Sequence, residues 1–182
     1  KFLPVPDGGV VHTSLQLDTQ ETDERSSLER YQYLLERVTG EPEASRQLYL
    51  ESEAQLEEPS LRGMSSFTRK LIEVADQDFV KARRARNWNA LSDLSAVNQL
   101  GFELAGQTPI CYPLMFEGAG QLRDELRKER VFAPLYWPDV TCTNAHEKAL
   151  VSNTLYLPID HRYGEADMAR LLDFFKEHSV IS

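Results

Sequence analysis

Apolar residues recur along this chain at two different periods, and the change between them organises the first reading. Ser26-Ser27-Leu28-Glu29 offers a helix N-cap with an acid in the first turn. Leu28, Tyr31, Leu34, Leu35 and Val38 follow at helical spacing until Gly40 ends the run. A second helix is predicted from Glu43 to Leu56, with Leu48, Leu50 and Leu56 as a thinner apolar set, and Glu57-Glu58-Pro59-Ser60 breaks it. A third and longer helix starts at Ser65 or Ser66. It carries Phe67, Leu71, Val74, Ala75, Phe79 and Ala82, and the pattern continues through Trp88, Leu91 and Leu94 to about Leu100.

Beyond Gly101 the apolar runs shorten. Strands are predicted at Ile110–Phe116, Val131–Ala133 and Leu155–Ile159, and helices at Gly120–Glu129, Ala145–Ser152 and from Gly164 onward through Met168, Leu171, Leu172, Phe174 and Phe175. The rhythm puts a boundary near 105–108, with 1–105 mainly helical and 106–182 a small α+β domain whose sheet is mainly antiparallel. At the other end, two apolar stretches flank Pro6-Asp7-Gly8-Gly9, which predicts a hairpin over 2–13, and 16–25 reads as polar loop. The chain opens on Lys1 inside an apolar run, so the sequence is expected to be a piece of a longer polypeptide with an upstream part missing.

Composition narrows the function classes. The chain has 182 residues, 41% of them hydrophobic, and 20 Lys and Arg against 29 Asp and Glu leave a net charge of −9. Nucleic acid and anionic membrane both attract a basic surface, so neither is an expected partner. Nothing is long and apolar enough to span a bilayer. Cys111 and Cys142 make no disulfide framework, which makes a reducing, cytoplasmic setting the default. His12, His146, His161 and His178 sit at no metal-ligand spacing, so no metal is expected. The run Lys81, Arg83, Arg84 and Arg86 reads as a solvated or ion-paired helix face, and Tyr136, Trp137 and Pro138 as packing and loop rigidity.

The remaining chemistry rests on lysine, which can hold pyridoxal phosphate as a Schiff base. Lys1 to Val11, with Asp7, Gly8 and Gly9 following the lysine, resembles the cofactor-lysine segment of the DegT/DnrJ/StrS-type aminotransferases, pyridoxal-phosphate enzymes of fold type I. Arg83 to Leu91 resembles the family's arginine-rich connecting helix. Val131 to Pro138 and Leu155 to Asp160 resemble strand edges of its small C-terminal domain. The order holds over nearly the whole chain. The family commonly has Gly-Glu-Gly-Gly where this chain has Pro6-Asp7-Gly8-Gly9, and Gly63-Met64-Ser65-Ser66-Phe67 carries serines where members often have an asparagine reaching a neighbouring subunit's cofactor phosphate.

The resemblance implies an α/β parent fold, of which this chain would be the end of the large domain plus the small C-terminal α+β domain. It implies an amino donor, a keto acceptor (a keto sugar among them), pyridoxal phosphate and a homodimer with a composite site. Lys1 would be the catalytic lysine, with Gly8 and Gly9 giving the backbone room and Ser65 or Ser66 reaching a phosphate. The alternative from the residues alone is a noncatalytic helical and α+β module for dimerisation or partner binding, which the acid-rich helices of 26–100 would serve without a cofactor.

Overall fold

The computed structural model describes residues 5–18, 21–39, 42–55, 62–101 and 104–182. Lys1, Phe2 to Pro4, the helix stop at Gly40, Leu56 and the break at 57–60 lie outside the described residues. The protein is mixed α/β and mostly helical, with a two-stranded sheet, and falls into two compact units, Lys1–Ala75 and Asp76–Ser182.

The first unit holds α1 (Glu24–Thr39), α2 (Pro42–Ala54) and α3 (Ser66–Val74). Helix α1 begins slightly before the expected Ser26 cap, because the Asp23 carboxylate accepts from the Ser26 N–H at 3.0 Å and does the capping itself. Helices α1 and α2 pack through Tyr33 edge-on to Tyr49 at 5.4 Å, and the Ser45 hydroxyl donates to the Tyr33 carbonyl at 3.1 Å. Tyr31 meets Phe67 of α3 edge-on at 5.2 Å. The apolar stripe read from the sequence does not become a core here. Leu28, Leu35, Val38 and Leu50 are exposed, and among the unit's described residues the buried apolar side chains are Pro6 and Tyr33. What lies buried instead is hydroxyl-bearing: Ser27, Ser45, Ser52, Ser65 and Thr68.

The expected hairpin over 2–13 is corrected too, since residues 5–18 contain no strand. The Asp7 side chain is engaged by distant helices and not by its own turn, and Val10 and Val11 face solvent with no pairing partner among the described residues, residues 2–4 of the expected hairpin lying outside them. The long helix expected from Ser65 to about Leu100 is broken. Ala75 is extended, at φ −66° and ψ 129°, and Asp76 Oδ1 accepts from the Phe79 N–H at 2.8 Å to start a new helix, α4 (Gln77–Ala90). Apolar spacing runs unbroken across this cap, which is why periodicity alone misses it.

Helix α4 belongs to the second unit, followed by a 3₁₀ turn (Ser92–Ala96), strand β1 (Tyr112–Met115), a 3₁₀ turn (Ala119–Gln121) leading into α5 (Leu122–Lys128), then α6 (Ala145–Asn153), β2 (Thr154–Leu157) and α7 (Glu165–Glu177). The strands pair antiparallel, Tyr112 opposite Leu157 and Met115 opposite Thr154. Leu114, Leu155, Leu157 and Ile159 pack with Leu91, Leu94, Leu126, Met168, Leu171 and Phe175 into a continuous apolar core. The short elements after residue 108 thus appear largely where the sequence places them, with an antiparallel sheet.

The exception is Val131–Ala133, expected as a strand. Arg130 sits at φ +59°, its N–H donates to the Arg127 carbonyl at 3.0 Å, and the Val131 N–H donates to the Leu126 carbonyl at 2.8 Å. These bonds are a Schellman cap on α5, and they take the backbone that a strand would need. Helix α7 ends the same way, with Ser179 at φ +57° and Val180 N–H donating to Phe175 O at 2.9 Å.

Both caps use a residue with a Cβ in the left-handed region, a strain that glycine relieves. Ser179→Gly should therefore stabilise the protein by about 1 kcal/mol in urea unfolding. Gly120→Ala should do the reverse. A Cβ there would lie 2.3 Å from the Ser152 carbonyl oxygen, a backbone atom that moves only with α6. A loss of about 2–3 kcal/mol is expected, while Gly101→Ala, which meets nothing within 4 Å, serves as the neutral control.

Candidate functional site

Three of the residues singled out from the sequence fall close together in the first unit. Gly8 has φ +92°, and a Cβ on it would lie 3.1 Å from Thr68 Cγ2 and 3.2 Å from Met64 Cε. Glycine is required there by backbone conformation and by packing at once. Gly9 differs: its Cβ would meet nothing within 4 Å, so no close approach depends on it. Ser65 is the N-cap of α3, its Oγ accepting from the Thr68 N–H at 3.0 Å. Ser66 follows as the first helical residue. Lys1 lies outside the described residues.

The centre of this arrangement is Asp7, which reads from the sequence as a turn former and as the acid of the resemblance, and not as a site residue. Its Oδ1 accepts from Thr68 Oγ1 at 2.6 Å and from Ser27 Oγ at 3.0 Å, and Ser65 Oγ donates in turn to Ser27 Oγ at 2.8 Å. Arg30 Nη1 stands 3.7 Å from Asp7 Oδ2. Ser27 and Thr68 are almost wholly buried, at 1% and 0% exposure, so their hydroxyls need the acceptor that Asp7 supplies. Beside them, Glu24 takes the first turn of α3: Oε1 accepts from the Ser66 N–H at 2.7 Å and Oε2 from Ser66 Oγ at 3.0 Å. That N–H, aided by the hydroxyl, holds the Glu24 carboxyl below its ordinary range.

A helix start with two serines is the feature that suggested a phosphate contact. Here the Ser66 N–H and hydroxyl are already spent on Glu24, and the Ser65 hydroxyl on Thr68 and Ser27, with two carboxylates in place that would repel a phosphate. The described residues therefore do not fit the phosphate of pyridoxal phosphate at this helix start.

A second cluster of polar groups lies in the other unit. Arg84 is 1% exposed, its Nη1 donating to the carbonyls of Ile110 at 2.7 Å and Pro109 at 3.3 Å. Asn87, equally buried, donates from Nδ2 to the carbonyls of Ile159, Tyr163 and Asp160 at 3.1–3.2 Å. Arg162 grips the Asp160 carboxylate through Nε at 2.7 Å and Nη2 at 2.8 Å. Burial raises the Asp160 pKa, but the Arg162 fork outweighs burial and leaves it below the usual carboxylate range. His161 is held below 6.5 by burial, with Arg84 and Arg162 adding to the effect and Asp160 opposing it. Its Nδ1 is buried without a hydrogen-bond partner among the described residues. Burial pushes the Cys111 thiol up, which leaves it protonated and a poor nucleophile.

The run Lys81, Arg83, Arg84 and Arg86 thus divides. Lys81 and Arg86 are solvated as expected, Arg83 lies 5.4 Å over the Phe79 ring, and Arg84 is buried, which charge patterning alone does not reveal. Tyr136 packs against Tyr156 with ring centroids 4.6 Å apart and planes tilted by 59°, in keeping with a packing role, while Trp137 at φ +54° is exposed. A cavity of about 720 Å³ is lined by Trp88, Asn89, Ser92, Ser95 and Tyr112 among others. Among the described residues its lining holds no carboxylate, imidazole or thiol, so they offer no acid–base pair working near neutral pH. Among the described residues no group of His, Cys, Asp and Glu could hold a metal ion, and no helix is long and apolar enough to cross a membrane. Comparison with protein-family models, curated proteins and solved structures finds no match to this chain.

The His161 environment has a testable consequence. A folded pKa below the unfolded one means the unfolded chain binds more protons in the interval between them. Stability from neutral His161 should be complete above about pH 7 and be lost as pH falls through the folded value. Asp160, also depressed, gives up its contribution only further down, below the ordinary 3.8. Urea midpoints compared at about pH 7.5 and about pH 5.5 should drop in the wild type and drop less in His161→Gln. Equal drops would show that His161 does not carry this dependence.

Proposed function

We propose that this chain is the C-terminal part of a fold-type-I, pyridoxal-phosphate-dependent aminotransferase of the DegT/DnrJ/StrS type, moving an amino group from a small-molecule donor to a keto acceptor. The observation that carries this reading is the built turn at Asp7-Gly8. The residues that follow Lys1 are not an exchangeable hairpin loop. They form a turn whose glycine is demanded by a positive φ and by Thr68 and Met64, and whose carboxylate is fixed to α1 and α3. A turn of that kind suits a segment that must keep a reactive lysine in one place.

In this reading Lys1 is the catalytic lysine, and the cofactor supplies the electron sink. The groups that bind its ring and phosphate belong to a large domain ahead of Lys1, because the start of α3 is occupied. Exposed Leu28, Leu35, Val38 and Leu50 would be covered by that domain. The parent is a cytoplasmic homodimer. The same exposed leucines favour one other reading, a noncatalytic module that docks a partner chain through α1 and α2.

Replacing the lysine separates the two. Arginine keeps the charge but cannot form the covalent link. In the full-length protein Lys1→Arg should fold, should lose the borohydride-trappable adduct, and should lose transamination by about 100-fold or more. The arginine variants of Lys70, Lys81, Lys128, Lys148 and Lys176 should stay active. A trapped adduct that survives in Lys1→Arg removes the aminotransferase assignment of this lysine, and a parent protein that binds no pyridoxal phosphate leaves the docking module.

A further inference from the structure

We infer that the start of α3 is a carboxylate latch, in which the chain's own Asp7 and Glu24 occupy the donors of a helix N-terminus and Asp7 fastens the segment 5–18 onto α1 and α3. Ser65, Ser66 and Thr68 then serve the latch, and neither serine is a cofactor ligand. This goes beyond the aminotransferase reading and does not require it.

The geometry is one of matched supply and demand. Four of the donors at the beginning of α3 are the N–H groups of Ser66 and Thr68 and the hydroxyls of Ser66 and Thr68. Glu24 accepts both from Ser66, Ser65 Oγ accepts the Thr68 N–H, and Asp7 accepts the Thr68 hydroxyl. Ser27 joins the two sides, receiving from Ser65 and donating to Asp7. Remove the Asp7 carboxylate and the nearly inaccessible hydroxyls of Ser27 and Thr68 lose their common acceptor.

Among the described residues of the segment, no side chain beyond Asp7 bonds to α1 or α3. Pro6 is buried and Gly8 packs against Thr68 and Met64, but residues 8–18 are exposed, without strand or helix, and carry Val10, Val11, Leu15 and Leu17 outward. Among the described residues its one further side-chain bond is local, Leu15 N–H to Thr13 Oγ1 at 3.0 Å. Arg30 at 3.7 Å keeps the Asp7 carboxylate paired from the α1 side. Among the described residues the segment is therefore a strap fastened by a side chain at Asp7, and the chain is next tied at Glu21, whose carbonyl accepts from the Gly63 N–H at 2.9 Å.

A spin label tests this without any cofactor. In a Cys111→Ser, Cys142→Ser background, a nitroxide on Val10→Cys reports the mobility of the strap. Thr68→Val should shorten its correlation time by about twofold or more, Asp7→Asn should move it the same way, and Thr68→Ser, which keeps the hydroxyl, should restore the wild-type spectrum. Far-UV circular dichroism of each variant checks that the helices remain. Inorganic phosphate, set against sodium chloride at equal ionic strength, should change neither the spectrum nor the melting temperature. Unchanged mobility in Thr68→Val with helices intact would overturn the fastening. A phosphate-specific rise in melting temperature that Ser66→Ala abolishes would overturn the closed helix start and return Ser66 to the role of an anion ligand.

Discussion

Arg84 and Asn87 impose the constraint on which the second unit depends. A guanidinium and an amide one turn apart on α4 are buried, and neither can leave water unless acceptors are brought to it. The acceptors are backbone carbonyls from two distant stretches, Pro109 and Ile110 ahead of β1 and Ile159, Asp160 and Tyr163 after β2. Satisfying one helix face therefore fixes where β1 is entered and where β2 is left. The antiparallel register and the apolar core between sheet and helices follow from that placement. Asp160, near enough to act on Arg84, offsets part of the cost of its buried charge, and Arg162 keeps Asp160 ionised.

The first unit is held by a different kind of interaction. Among its described residues, the buried hydroxyls of Ser27, Ser65 and Thr68 converge on the Asp7 carboxylate, while Leu28, Leu35, Val38 and Leu50 remain outside. Burial of apolar surface supplies the bulk of folding free energy in most domains. The described residues of this unit bury little of it, and hydrogen-bond geometry directs how α1, α3 and the Asp7 turn meet. Polar interiors of this kind fix a unique arrangement when every member is satisfied, because an unsatisfied hydroxyl or carboxylate in such surroundings is costly. That explains how α1, α3 and the Asp7 turn hold one geometry despite the exposed apolar stripe on α1.

How much of this the sequence discloses depends on where each signal resides. The elements after residue 108 were legible because short apolar runs there are bounded by turn residues, and β1, α5, α6, β2 and α7 fall close to the expected ranges. The strand expected at Val131–Ala133 was not, since the cap that displaces it uses Arg130 in a conformation that normally advertises itself through glycine. Asp76 hides inside an unbroken apolar period. At the candidate site, Asp-Gly announces the turn at Asp7-Gly8. Ser27 and Thr68, which make that turn a fixed point, are ordinary polar residues far away in sequence, and only folding shows them as its partners. Arg84 is lost among its basic neighbours for the same reason: burial is a property of the fold and leaves no mark on charge spacing.

These two modes of construction bear on function together. A unit built on its own apolar core can stand alone, and the second unit has one. The first has a precise polar joint and an uncovered apolar face, the combination expected of a part whose hydrophobic surface is completed by other chain. In the aminotransferase reading that chain is the large domain, and the polar joint is a turn, fixed to two helices, six residues after the lysine in sequence. Reactive side chains work when their backbone is held by groups that do not take part in the chemistry. Asp7, Ser27 and Thr68 are such groups. Because Glu24 already fills the start of α3, in that reading the cofactor's anion site would be contributed by the large domain.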